Sequence, residues 1–334
     1  MRAEFTWRDA GRVVVFGSGG AARAPSLLDE HGVDTFELLS SERALAGAPE
    51  LRSAAGTVHL VGDGPVPATA AALLDSVAGE TLVAFGGGRV IDTAKAVAAV
   101  RGAEVAAIPT TLSGAEMTGI HRLPEGAGDR ASGLVRPSLV IADPGPMTSL
   151  PEQRLRASAM NALAHGADSL YTTFANPVSR MTALRGAGLI AVALDEERER
   201  RDVAALALGA ILCGYAIDSG LFALHHVTCQ TLVRVCGSSH AETNAAILPR
   251  AMATMAPRAP EAVSTLAAAI GTEVAEVETR ILELGGDPVG LGEAGADVAK
   301  LDEAVEAILA RPELSYAPDP PGAIELRQMI ERAW

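Results

Sequence analysis

The sequence predicts an α/β protein in two parts. The first is an N-terminal dinucleotide-binding domain on a parallel, doubly wound sheet; the second is an all-α C-terminal domain. Three observations predict this. Short apolar runs alternate with helical stretches as far as Ala142. Beyond Pro151 the strand signals vanish, and alanine and leucine recur at helical spacing. The length, 334 residues, fits two domains of ordinary size.

In order, Arg12–Phe16 reads as a first strand, followed by the turn Gly17-Ser18-Gly19-Gly20 and a helix to about His31. A second strand lies near Thr35–Leu39. In nucleotide-binding units an acid after this strand grips the ribose 2′-hydroxyl; here Ser40 and Ser41 stand there, with Glu42 beyond. Ser41 is thus a candidate cofactor contact, and either NAD or NADP fits. Val58–Val61 is a third strand, a helix follows over Pro67–Val77, and Thr81–Phe85 is a buried apolar strand. Val105–Ile108 and Leu139–Ala142 complete the strands, and residues 124–133 read as an exposed hairpin or loop. The prolines of Asp143-Pro144-Gly145-Pro146 mark the boundary, giving domains 1–146 and 147–334. Helices then follow over 151–171, 177–193, 199–219, 222–235, 240–255, 260–270, 274–284, 297–309 and 323–333, with a proline-rich connection at Pro312–Pro321.

The stretch Phe85-Gly86-Gly87-Gly88-Arg89-Val90-Ile91-Asp92-Thr93-Ala94-Lys95 organises the first domain. A strand ends, three glycines remove every Cβ, and a helix begins. Backbone N–H groups then approach an anion closely at the positive end of the helix, which is how a diphosphate is held. Lys95 is one of only two lysines in the chain, which marks it as a candidate cofactor contact. The hydroxyl-rich Pro109–Thr118 loop reads as a second cofactor contact.

Composition excludes several classes. Net charge is −14, with no basic stripe, which argues against nucleic acid. No apolar run of about 18 residues stands out as a membrane span. The first ten residues carry acids and no apolar core, so no secretory signal is expected. Three cysteines without a CxxC pair point to a reducing, cytoplasmic setting.

Asn161 and His165 are four apart, so they share one face of a helix; His226 and Gln230 repeat the spacing on a later one. His240 follows Val235-Cys236-Gly237-Ser238-Ser239, a loop able to bring it back over the others. Imidazole serves as metal ligand and as general acid near neutrality. His225, beside His226, must point elsewhere. The crevice between the two domains is the default place for a substrate.

These motifs resemble the iron-containing alcohol dehydrogenase superfamily, which includes glycerol dehydrogenases and dehydroquinate synthases. The likeness is greatest to maleylacetate reductases. It runs through Val14–Gly17, GGGRVIDTAK (Gly86–Lys95), IPTTLSGAEMT (Ile108–Thr118), Asp143–Pro151, MNALAHGADSLY (Met160–Tyr171), HHVTCQTLV (His225–Val233) and HAETNAAILPRA (His240–Ala251), to the closing helix.

The resemblance implies a dehydroquinate synthase-like fold and an NAD(P)H-dependent reductase. Gly86, Gly87 and Gly88 would cradle the diphosphate, with Asp92, Thr110 and Thr111 close to the dinucleotide. Metal-dependent members bind iron or zinc through one Asp and three His, which map to Asn161, His165, His226 and His240. With Asn for Asp the site loses a negative charge, so no metal is expected; if one binds, His165, His226 and His240 hold it. Gln230 stands where relatives place a further histidine, and it cannot deliver a proton.

The expected activity is reduction of a small carboxylated oxo or enoyl substrate, like maleylacetate. Arg122, Arg136 or Arg234 would hold its carboxylate, and a homodimer is implied. Two alternatives stand beside it: a non-redox cyclase, dehydratase or lyase on the same scaffold, motivated by Asn161 and Gln230, and a cofactor-binding scaffold protein without catalysis.

Overall fold

The computed structural model describes residues 4–131, 133–286 and 288–334. The sequence readings touching Met1–Ala3 and Ser132 lie outside them. The described residues form two compact units, 1–150 and 151–334.

The first unit carries a seven-stranded sheet among the described residues. Its strands are β1 (Phe5–Asp9), β2 (Arg12–Phe16), β3 (Glu37–Ser40), β4 (Thr57–Leu60), β5 (Thr81–Gly86), β6 (Glu104–Pro109) and β7 (Leu139–Ala142). The order across the sheet is β1-β2-β7-β6-β5-β3-β4. All neighbours are parallel except β1 and β2, which pair antiparallel from Phe5 opposite Phe16 to Asp9 opposite Arg12. Strand β1 goes beyond the sequence expectation. Its residues are at most half-buried, so it lacks the apolar run that reveals a buried strand.

Side chains alternate between the two faces of the sheet. On β5, Val83 and Phe85 join the core formed with helices α1 (Ala24–Glu30), α2 (Glu42–Leu45) and α3 (Pro49–Ala54). Leu82 and Ala84 face the opposite core, with α4 (Val66–Leu73) and α5 (Gly88–Arg101). Connections leaving β3 and β5 therefore cover opposite faces. These two strands are adjacent, with Ser40 opposite Phe85. Such a switch point opens a crevice beyond the strand ends where α/β sheets bind ligands. The Ser40 hydroxyl donates to the Phe85 carbonyl at 2.7 Å and ties the two ends together.

The prolines after β7 do not break regular structure. They open a short helix, α6 (Pro144–Met147), because Asp143 caps it by accepting the Gly145 N–H and because proline suits a first helical turn. The division between the units falls later, at Leu150–Pro151.

The second unit is helical: α7 (Glu152–Ser169), α8 (Pro177–Asp195), α9 (Val203–Gly220), α10 (Leu224–Cys236), α11 (His240–Met255), α12 (Pro260–Ala269), α13 (Val277–Gly285), α14 (Leu301–Leu309) and α15 (Ala323–Glu331). Some start later than periodicity predicts, for local reasons. Asp202 caps α9 by accepting the Ala205 N–H at 2.9 Å, and 3-10 turns at Val274–Glu276 and Val298–Lys300 precede α13 and α14. Pro312–Tyr316, expected as plain connection, is another 3-10 turn. Helix α9 corrects one composition reading: its 18 residues are long and apolar enough to cross a bilayer. Its buried residues, Leu206, Ala210, Ile211, Cys213 and Ile217 among them, give that apolar composition a place in the core.

Candidate active site

The glycine turn of the first unit is built so that no side chain fits. A Cβ on Gly86 would lie 2.7 Å from Val90 Cγ2, one on Gly87 3.0 Å from Thr111 Cγ2, and one on Gly88 2.9 Å from Ser113 Cβ. Gly87 is the N-cap of α5, and no side chain caps the helix. The orphan N–H groups of the first turn are left for a ligand. The Thr110 N–H donates to the Gly86 carbonyl at 2.9 Å, which draws the hydroxyl loop onto the cradle. Thr111 Oγ1 is buried there and makes no hydrogen bond within the protein. The earlier turn at Gly17–Gly20 differs, because its donors are used internally. The Gly20 N–H donates to Gly17 O, and the Ala21 N–H donates to Asp143 Oδ2 at 3.0 Å.

Lys95 has a different place from the one its motif indicates. It is fully buried, with Nζ 2.8 Å from Asp92 Oδ1, 3.0 Å from Ala115 O and 2.8 Å from Ile120 O. It therefore braces the 110–120 loop from beneath and engages Asp92 rather than facing a ligand. Glu116 was invisible in the sequence as anything but a loop residue. It is fully buried, and neither carboxyl oxygen has a hydrogen-bond partner. Burial pushes its carboxyl up to about 7, against the pull of its own backbone N–H and of Lys95. Ser41 caps α2 by accepting the Ala44 N–H at 3.3 Å.

In the second unit, α7 and α10 bring two of the three predicted imidazoles together. His165 and His226 stack with centroids 5.0 Å apart and planes 18° from parallel. Both are buried, as is Asn161, one turn before His165 on α7. His240 opens α11 at the surface. Burial first, then the neighbouring His226, His225 and His240, hold His165 well below its usual range, so its ring is neutral. His225 does point elsewhere: its ring lies 79° from that of His226, and its Nε2 meets Asn244 Oδ1 at 3.0 Å.

The residue that organises this centre is Asp168, which the sequence reading missed. It is fully buried. It accepts the backbone N–H groups of Ala223 (3.0 Å), His225 (3.3 Å) and His226 (3.2 Å), and the Tyr171 hydroxyl. Leu221, at φ +56, turns the chain sharply between α9 and α10 and delivers these donors. Burial raises the Asp168 carboxyl, but hydrogen bonding from His226 and Tyr171 and the neighbouring imidazoles outweigh it and bring it down to about 2. An ionised carboxylate only accepts. The 2.9 Å contact with His226 Nδ1 therefore places the ring proton on Nδ1 and a lone pair on Nε2. His226 Nε2 and His165 Nδ1 are buried without a protein partner, so each can receive a ligand. Asp168 stands three residues after His165, on the same helical face; that spacing was the available signal.

Among the described residues, no three His, Cys, Asp or Glu side chains are placed to share one metal ion. Exposed His240 does not complete a set with His165 and His226, and Asn161 adds no charge. The candidate carboxylate arginines Arg122, Arg136 and Arg234 all lie at the surface. Gln230, partly buried one turn after His226, accepts from Arg311 Nη2 at 3.2 Å.

Comparison with known proteins identifies relatives of both units. Residues 12–144 match the iron-containing alcohol dehydrogenase family, and residues 156–330 match the Fe-containing alcohol dehydrogenase family C-terminal region. The chain is 33% identical over 300 residues to a maleylacetate reductase of Pseudomonas aeruginosa, covering 84% of each protein. It is 31% identical over 348 residues to maleylacetate reductase 1 of Rhodococcus opacus, covering 99% of this chain and 97% of that one. The crystal structure of maleylacetate reductase from Agrobacterium tumefaciens superposes with a TM-score of 0.85 at 27% identity, over 100% of this chain and 99% of that one. These likenesses favour an oxidoreductase over a non-redox enzyme or a scaffold without catalysis. The chain is an oxidoreductase that belongs to the iron-containing alcohol dehydrogenase family.

Proposed function

We propose that this protein is an NAD(P)H-dependent reductase of a small carboxylated oxo or enoyl acid, close to maleylacetate, and that it works without a metal. The observation that carries the reading is the carboxylate-oriented imidazole at His226 in the second unit; the first unit, taken by itself, carries a side-chain-free cradle at Gly86–Gly88. When bound, the reduced nicotinamide supplies hydride to one carbon of the substrate double bond. The first unit holds the diphosphate through N–H groups at the start of α5, with Thr111 Oγ1 as a further hydrogen-bonding group. Ser40 and Ser41, rather than an acid, stand at the end of β3, so either ribose form is compatible.

The second unit supplies the proton. Once protonated, His226 carries N–H on both nitrogens. Asp168 balances the imidazolium on the Nδ1 side, and Nε2–H delivers its proton to the atom next to the one reduced. Hydride and proton together account for the two hydrogens gained. His165, kept neutral by burial, adds no competing charge. Metal independence is supported by the neutral Asn161, whose amide brings no negative charge to a divalent ion. Three free cysteines, all buried, favour the reducing cytoplasm.

The test follows absorbance of NADH or NADPH when purified protein meets maleylacetate, before and after chelation. Consumption that survives chelation is the expected result. No consumption with any of a panel of oxo acids would overturn the substrate reading, and loss on chelation would overturn metal independence.

A further inference from the structure

We propose that Gln230 is a donor-only contact for a carboxylate or ketone oxygen of the substrate, its carboxamide locked in that orientation by Arg311. The inference rests on the reductase reading above and names how that site would select its substrate. Gln230 follows His226 by one helical turn on α10, so the two side chains leave the same face. Gln230 Oε1 lies 3.2 Å from Arg311 Nη2. A guanidinium only donates, so the amide atom that faces it is the oxygen. The amide is planar, and its NH2 is therefore turned away from Arg311. Among the described residues no protein group accepts from that NH2.

The guanidinium is itself immobilised. Glu313 grips it in a two-point fork, Nε to Oε2 at 2.9 Å and Nη2 to Oε1 at 2.8 Å. Arg311 in turn holds the Glu313 carboxyl below its usual range. The chain Glu313–Arg311–Gln230 thus fixes one rotamer and one flip state from the 3-10 turn beside α10. What it presents one helical turn from His226 is neutral, does not titrate and carries two N–H donors. Such a group accepts an oxygen lone pair at every pH, and it leaves proton delivery to the imidazole. An alcohol hydroxyl pointing its hydrogen at the same spot meets only donors. The arrangement therefore favours an acceptor such as a carboxylate or ketone oxygen over a group that can only donate.

The experiment varies maleylacetate at saturating NADH for wild type, Gln230→Met and Arg311→Met. Nitrogen-edited NMR of the whole protein follows the Gln230 NH2 signals during titration with adipate, an inert dicarboxylate. Gln230→Met removes both donors and should raise KM roughly tenfold or more, with kcat changing less. Arg311→Met frees the amide to flip and should raise KM by a smaller factor. In wild type, adipate should shift the Gln230 NH2 resonances. The proposal is overturned if wild type turns over while both variants keep its KM, or if adipate leaves those resonances in place. Wild type inactive with every oxo acid sinks the reductase reading instead, and the adipate titration then still decides the orientation of Gln230. Methionine suits a helix, so the first variant keeps the test open should Arg311→Met fail to fold.

Discussion

Among the described residues, Asp168 and Glu116 are the two carboxylates buried completely, one in each unit, and they end in opposite states. Asp168 is drawn down to about 2, while Glu116 is pushed up to about 7. Desolvation is the largest influence on both. The difference lies in donors. Three backbone N–H groups, an imidazole and a phenol converge on Asp168. The Glu116 oxygens find no hydrogen-bond partner, and the nearby Lys95 is engaged by Asp92 and by loop carbonyls. Burial alone does not set the charge of an acid; the supply of donors does. Each carboxylate lies behind a candidate ligand surface. Asp168 orients His226, and Glu116 sits in the loop that carries Thr111 and Ser113 against the glycines.

The largest expected effect tests the donor-rich side. Asp168→Ala would strand the N–H groups of Ala223, His225 and His226 in the interior. It should lower stability by about 3–5 kcal/mol, as breaking a buried charge network does. Urea unfolding measures this, and a loss under about 1 kcal/mol would show that the convergence contributes little.

Next is Lys95→Met, which leaves the Ala115 and Ile120 carbonyls and Asp92 unpaired. A loss of about 3 kcal/mol is expected, together with weaker NADH binding as the loop under the cradle loosens. Calorimetry with NADH reads the second effect, and unchanged affinity would separate the brace from the cradle.

The last test, graded by pH and reaching its full size only above about pH 7, sharpens the comparison. Glu116 binds its proton more tightly folded, at about 7, than its ordinary value of 4.5. Between these values the folded chain holds a proton that the unfolded chain has released. Stability should therefore fall as pH rises from about 4.5 to about 7 and level off above, by up to about 3 kcal/mol in all. Glu116→Gln removes this contribution, so its stability curve should be flatter than wild type across that window. Parallel curves for the two proteins would mean that Glu116 is not titrating there.

The legible parts of the molecule were those written in local pattern. Strands β2 to β7 declare themselves by apolar runs between glycine and proline turns, and the helices by their periodicity. The glycine cradle is legible because only residues without a Cβ satisfy it. The histidine pair is legible in part, since spacing of four places Asn161 with His165 and His226 with Gln230. Strand β1 was not, because a half-exposed edge strand has no apolar run. Lys95 misled, because a lone lysine in a phosphate-type motif looks the same whether its ammonium faces a ligand or turns beneath the loop.

The sequence by itself determined the fold class, the alternation of elements and the side-chain-free turn after β5, because each depends on residues near one another in the chain. Only the tertiary structure decided the charge of each buried acid, the tautomer of His226 and the orientation of Gln230. Those states depend on which donors arrive from distant segments: Leu221–His226 onto Asp168, and Arg311 onto Gln230 across 81 positions. Hydrogen bonding acts over about 3 Å, so chain separation carries no information about it until the backbone has folded.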